Sequence, residues 1–334
     1  MTSAQTVWSR VTAAESRLFL LLSLGVIALS LLSLMIGPAG FGLPRGEGAA
    51  QLILMEIRLP RTLLAVLTGA ALALAGAALQ GYLRNPLAEP GIIGVSSGAG
   101  LGAVLAIHSG VSAAFALALP LGGLAGAAVA TLVVLALAGE RGGALTLILA
   151  GVAVSSVATA LISLVLSLSE NPFAAVEIIF WLLGSLADRS MTHVWLAGPL
   201  MLAGVVILLM LGPSLDAMTL GEDAARNLGV DLARVRYRIV AGTALAVGAA
   251  TAIVGTIAFV GLVVPHVLRP LVGHAPSRLL PASLLGGAAL VLVSDIVLRI
   301  VTPGGELRLG VLTALLGAPF FLWLVLKTRA ELAP

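Results

Sequence analysis

Eight stretches of this chain contain no Asp, Glu, Lys or Arg: residues 18–44, 62–83, 90–139, 142–169, 190–215, 239–268, 279–294 and 309–326. A helix rises 1.5 Å per residue, so about 20 apolar residues cross a hydrocarbon core of about 30 Å. Eight such intervals hold at least eight membrane spans. The 90–139 interval is long enough for two, broken near His108–Ser112, and 239–268 holds a full span and a shorter one, broken at Gly255. The expected fold class is therefore an all-α polytopic membrane protein of nine or ten helices, forming one domain over 1–334. A chain that is 60% hydrophobic and only 10% charged lies outside the composition of soluble domains. With no cysteine, disulfides and thiolate metal sites are excluded. The net charge of +3 comes from arginines scattered at span ends, which act as topology signals and offer no patch for nucleic acid. Leu18–Ile36 is longer than the apolar core of a signal peptide and is expected to be a retained first span.

Ten spans with a cytoplasmic N-terminus put Arg10, Arg17, Arg84, Arg141, Arg226, Arg234, Arg236, Arg238, Arg269, Arg278, Lys327 and Arg329 inside. Arg45, Arg58, Arg61, Arg189, Arg299 and Arg308 then lie outside. The excess has the sense that the positive-inside rule requires, so both termini are expected in the cytoplasm.

The segment Pro213–Arg238 interrupts this apolar pattern and carries Asp216, Glu222, Asp223, Arg226, Asp231, Arg234, Arg236 and Arg238. A short turn would suffice to join two spans. Ala224, Ala225 and Leu228, then Leu232 and Val235, recur at helical spacing, and Gly229 breaks the run. The reading is two short amphipathic helices on the cytoplasmic side, presented to a partner. Between the fifth and sixth spans, residues 172–187 read as a short external helix against the mouth of the bundle. Asn85-Pro86-Leu87-Ala88-Glu89-Pro90-Gly91 is a sharp polar turn, because two prolines bar a continuing helix. Small residues recur through the spans, as in Gly69…Ala73 and Gly76…Gly81, and drive close helix packing in lipid.

Gly94-Val95-Ser96-Ser97-Gly98 matches the nucleophile elbow G-x-S-x-G, but that motif needs a strand–turn–helix setting and here falls in a span. There is no phosphate-binding loop, and Lys327, the only lysine, follows no glycine-rich loop. The chain is not expected to hydrolyse ATP itself. His108, His193, His266 and His274 make no ligand pair, so no metal site is expected. Asp295 and Arg299 lie four apart on one helical face; an intrahelical pair and a docking role for Arg299 are both open.

The stretch RLPRTLLAVLTGAALALAGAALQGYLRNPLAEPGIIGVSSGAG (58–100) resembles the early part of FecCD-type permeases, the membrane subunits of type II ABC importers. The stretches 255–288 and 306–327 resemble the later signatures of the same family. The resemblance covers most of residues 50–330 and implies a ten-helix subunit that dimerises with a second copy. Two cytoplasmic ATPase subunits, which hold ATP and Mg, would dock beneath it, and a periplasmic substrate-binding protein above. No cofactor would be bound by this chain. The resemblance places coupling helices over about 214–235, with Leu215, Leu220, Gly221, Glu222, Ala225, Arg226, Gly229 and Arg234 as contact residues. It matches docking arginines to Arg58, Arg61 and Arg299, which could pair with acidic groups on the binding protein. Asn85 and Leu87 match an inner gate of the cobalamin members. Ala144 and Leu145 stand where those members carry a small hydroxyl pair, a departure from the gate pattern.

The expected function is that of an inner-membrane permease moving an iron chelate, siderophore or haem, from periplasm to cytoplasm by alternating access, with cobalamin as the alternative. A gradient-driven transporter would want ionisable residues in mid-span, and only Asp295 fits. An intramembrane enzyme would want facing carboxylates, histidines or thiols, and the sequence supplies none.

Overall fold

The computed structural model describes residues 2–37, 40–42, 48–139, 142–302 and 307–332, with side chains described from Glu15 to Lys327. Arg45 and Arg141 of the topology count lie outside the described residues, as do the side chains of Arg10 and Arg329. Among the described residues, thirteen helices of six residues or more organise the chain. They are α1 (Thr2–Met35), α2 (Ala49–Leu83), α3 (Val95–His108), α4 (Ala118–Ala138), α5 (Ala144–Ser167), α6 (Pro172–Leu182) and α7 (Met191–Leu209). The short α8 (Gly212–Met218) and α9 (Glu222–Asn227) precede α10 (Leu232–Val254), α11 (Val260–Val272), α12 (Pro276–Val301) and α13 (Leu309–Leu332). Eight are long and apolar enough to span a membrane; α3, α6 and α11 are shorter apolar helices. The expected breaks occur: α3 ends at His108, and α10 ends at Gly255, whose φ of 77° terminates it.

The most apolar windows of α2 and α10 are 83% and 72% buried, whereas those of α1 and α5 are only 6% and 17% buried. The bundle is therefore wound around α2 and α10, while α1, α5 and α13 turn apolar faces outward. Lipid gives no hydrophobic drive for helix association, so contact between backbones must supply it. At the α2–α12 crossing a Cβ on Gly69 would lie 2.1 Å from the Gly287 carbonyl oxygen, and at α2–α11 one on Gly76 would lie 1.9 Å from that of Gly261. Any side chain there would force the helices apart.

The helix ends inside the bundle need partners for their free backbone groups. Residues 183–190, the turn after α6, supply several. Ser185 N donates to Val254 O at 2.7 Å, and Leu309 N donates to Gly184 O at 3.0 Å. At the other side of this break Phe259, at φ 68°, donates its N–H to Glu89 Oε1 at 2.6 Å. The polar turn between α2 and α3 thus caps the start of α11. Burial holds the Glu89 carboxyl above the usual carboxylate range, with the Phe259 N–H opposing more weakly.

Two ends of the bundle as candidate coupling and docking sites

At one end, α8 packs onto the bundle and α9 stands exposed beyond it, together forming a platform. Asp216 Oδ1 accepts from Ser277 N at 2.8 Å, which pins α8 to the start of α12. Gly221 at φ 103° turns the chain from α8 into α9, and Gly229 at φ 85° turns it out again. Only glycine adopts such a conformation without strain. Asp231 then caps α10, its Oδ1 accepting from Arg234 N at 3.0 Å. Two of the residues expected on a coupling surface lie elsewhere: Leu215 and Ala225 are fully buried in the chain's own core. The open apolar residues are Leu220 and Leu228, 69% and 65% exposed. Leu228 faces out at helical spacing from Ala224 and Ala225, and the sequence reading did not single it out as a contact residue. Around these, Arg226 lies 3.2 Å from Asp223 and 3.7 Å from Glu222, and Arg234 lies 3.8 Å from Asp231. These are surface pairs within one segment and leave their outer faces to water.

The proposed gate residues sit at the same end. Asn85 Oδ1 accepts from Leu87 N at 2.9 Å, which closes the turn after α2. Ala144 opens α5, and Leu145 is exposed on its outer face.

At the opposite end a cluster of charges is buried around Asp295. Asp295, only 1% exposed, accepts from Arg61 Nε and Nη2 at 2.9 and 2.7 Å, and Arg299 Nη2 reaches its other oxygen at 2.6 Å. Arg299 Nη1 donates to the carbonyls of Ser33 and Ile36 at 2.8 and 2.9 Å. Arg58 donates to those of Leu34 and Gly42, both at 2.8 Å. The end of α1 is thus wrapped by arginines from α2 and α12. Asp295–Arg299 is an intrahelical pair, and it is also half of a cluster that joins helices far apart in sequence.

Arg58 and Arg299, expected as docking residues, are 6% and 7% exposed and serve the fold in this way. Arg61 keeps 22% of its side chain open, toward a cleft of about 550 Å³ lined also by Glu56, Asp188 and Arg189. Arg189 donates to Ile253 O at 2.7 Å, and burial holds its guanidinium below the usual range, with Asp188 opposing. Asp295 thus holds two guanidinium groups, and with Glu56, Asp188 and Arg189 the cleft is lined by three acidic and three basic side chains.

The remaining candidates take structural roles. Gly94, at φ 80°, caps α3 directly after a turn of 3-10 helix, with no strand before it, so no nucleophile elbow forms. His193 Nδ1 accepts from Ser190 N at 3.2 Å and caps α7. The His266 ring packs edge-on against Phe320. Among the described residues no three His, Cys, Asp or Glu side chains converge as a metal-binding group.

The sequence profile of the FecCD transport family matches residues 18–327. The vitamin B12 import system permease protein BtuC of Escherichia coli O9:H4 is 40% identical over 322 residues, covering 94% of this chain and 96% of its own length. BtuC of Salmonella typhimurium is 40% identical over 321 residues, covering 93% and 95%. A solved transporter assigned to the metal-chelate ABC type, in an inward-facing conformation, superposes with a TM-score of 0.85 at 35% identity. That match covers 93% of this chain and 99% of the solved one. With its spans and its two contrasting ends, this chain belongs to the FecCD transport family as a membrane permease of an ABC importer.

Proposed function

We propose that the chain imports a bulky metal chelate as one half of a dimeric permease, with cobalamin as the first substrate to test. The observation that carries this reading is the contrast between the two ends. A platform anchored through α8 and open along α9 offers apolar and charged side chains to a motor, and at the other end Arg61, held by the buried Asp295, offers a partly open guanidinium to an acidic partner. In this reading the platform faces the cytoplasm and meets an ATPase subunit through Leu220, Glu222, Arg226, Leu228 and Arg234, with Gly221 and Gly229 shaping its turns. Leu215 and Ala225 anchor the platform from within. Docking of a binding protein centres on Arg61, with Arg58 and Arg299 fixing the shape and charge of the cluster. The open apolar faces of α5 and α13 are available to a second copy and to lipid.

ATP-driven closure of the motor moves the platform, and the permease changes which side its cavity opens to. Coupling requires each nucleotide state to favour a different permease shape. Asn85, Leu87, Ala144 and Leu145 lie at the platform end and would form the inner gate. Ala144 and Leu145 offer no hydroxyl, so that gate would close by apolar contact.

The relatives named for vitamin B12 import support cobalamin. The metal-chelate neighbour supports a second reading, an iron chelate. The experiment is uptake into proteoliposomes holding the permease, its ATPase and its binding protein, with cyanocobalamin, ferric siderophore and haem offered in turn. ATP-dependent accumulation of cyanocobalamin is the expected result. Accumulation of an iron chelate alone replaces the substrate, and uptake without the ATPase ends the reading.

A further inference from the structure

At the platform end, three segments meet around a cleft of about 440 Å³. Its lining includes Tyr82 from the end of α2, Gly142 and Gly143 just before α5, and Glu222 and Arg236 from the platform side. Arg236 stands apart from its neighbours. Arg234, Tyr237 and Arg238 on the same helix are exposed, whereas Arg236 is only 3% exposed. A guanidinium taken out of water needs acceptors. One of these is 94 residues away in sequence: Arg236 Nη1 donates to the carbonyl of Gly142. A Cβ on Gly142 would lie 1.9 Å from the Ala138 oxygen, so the chain here is folded hard against the end of α4. Gly142 lies two residues before Ala144, and Tyr82 three before Asn85.

We infer that Arg236 is the positioning residue that carries motion of the platform to the start of α5, so that the base of α10 and the gate segment at Ala144–Leu145 move as one body. The inference rests on the reading of 212–231 as the motor-facing platform and of 144–145 as a gate. α10 follows the platform directly, and its first turns hold Arg236. A displacement of α9 reaches α10 across the Gly229 turn and reaches α5 through the Arg236–Gly142 hydrogen bond. A charged donor makes the stronger kind of hydrogen bond.

The chain has no cysteine, so a label pair can be introduced without background. Leu145→Cys and Arg238→Cys, nitroxide-labelled in the assembled importer with its ATPase subunits, report the separation of the two segments by pulsed electron resonance. With labelled chains diluted into unlabelled ones so that pairs within one copy dominate, the parent is expected to show one narrow distance, the same with and without a non-hydrolysable ATP analogue. Arg236→Gln is expected to broaden it and make it nucleotide-dependent, and Arg236→Lys, which keeps a donor, to restore it. A purely structural role would lower thermal stability in both variants and leave the distance unchanged in whatever folds. The proposal is overturned by an Arg236→Gln distribution equal to the parent's in both states. It is equally overturned by a parent distance that shifts more than about 5 Å, one helical pitch, on nucleotide binding, and that measurement needs no variant to fold. Failure of the underlying reading looks different: the ATPase subunits then do not co-purify with the parent chain, which overturns both.

Discussion

The two ends of this bundle handle charge in opposite ways. At the α1–α2–α12 end, Asp295 is 1% exposed and holds two guanidinium groups, one of them 234 residues away in sequence. At the α8–α9 end, Arg226 is 60% exposed, and its partners Glu222 and Asp223 lie within the same turn of helix. A buried charge that loses its counter-charge is stranded in a medium that cannot solvate it, whereas an exposed one is taken up by water. The same ion-pair chemistry therefore builds the fold at one end and leaves a surface open to a partner at the other.

Breaking the buried side should have the largest effect. Asp295→Ala strands Arg61 and Arg299 and is expected to destabilise the chain by about 3–5 kcal/mol, read as a fall in thermal midpoint in detergent. A loss no greater than that of a surface substitution would erase the contrast between the ends. Next comes packing of the central helix. Gly76→Ala places a Cβ against the Gly261 carbonyl and is expected to cost about 1–3 kcal/mol, with unchanged stability in the same assay counting against a direct backbone contact.

Glu89 tests an intermediate case, a partly buried carboxylate with one backbone partner. Its folded value is raised, so the folded state holds the proton more tightly than the unfolded one. Its contribution is fully present below the ordinary carboxylate value of about 4.3 and is lost as pH rises through the raised value. Glu89→Gln keeps an acceptor for Phe259 N and should flatten the fall in thermal midpoint as pH rises above the ordinary carboxylate value. Glu89→Ala removes the acceptor and should cost about 1 kcal/mol below the ordinary carboxylate value, and less as pH rises. Identical pH profiles for Gln and wild type would remove the carboxylate from this account.

The smallest stability effect belongs to the exposed end. Arg226→Ala is expected to change stability by less than about 1 kcal/mol while weakening co-purification of the ATPase subunit. If stability falls and co-purification holds, Arg226 serves the fold rather than the partner.

Much of this architecture is legible along the chain because the preference of a segment for hydrocarbon is a sum over its own residues. Long runs without charge announce the spans, and Gly255 and the His108–Ser112 region mark where two runs divide. The polar segment 213–238 stands out for the same reason. Its surface was less legible: Leu220 is open as expected, but Leu215 and Ala225 are buried and Leu228 is open, because helical spacing sorts residues into faces without saying which face meets the bundle.

The fate of each charge was decided only in three dimensions. The spacing of Asp295 and Arg299 announces their intrahelical pair, but Arg58 and Arg61 sit at span ends whether they are free or bound, and nothing local to them reports that Asp295 and the carbonyls at the end of α1 close around them. Arg236 looks in sequence like its neighbours Arg234 and Arg238, and only the fold brings Gly142 within its reach. Transfer from water to lipid is a property of a segment, so sequence alone settles which segments cross. Pairing depends on distances between segments, and those exist only once the helices have packed.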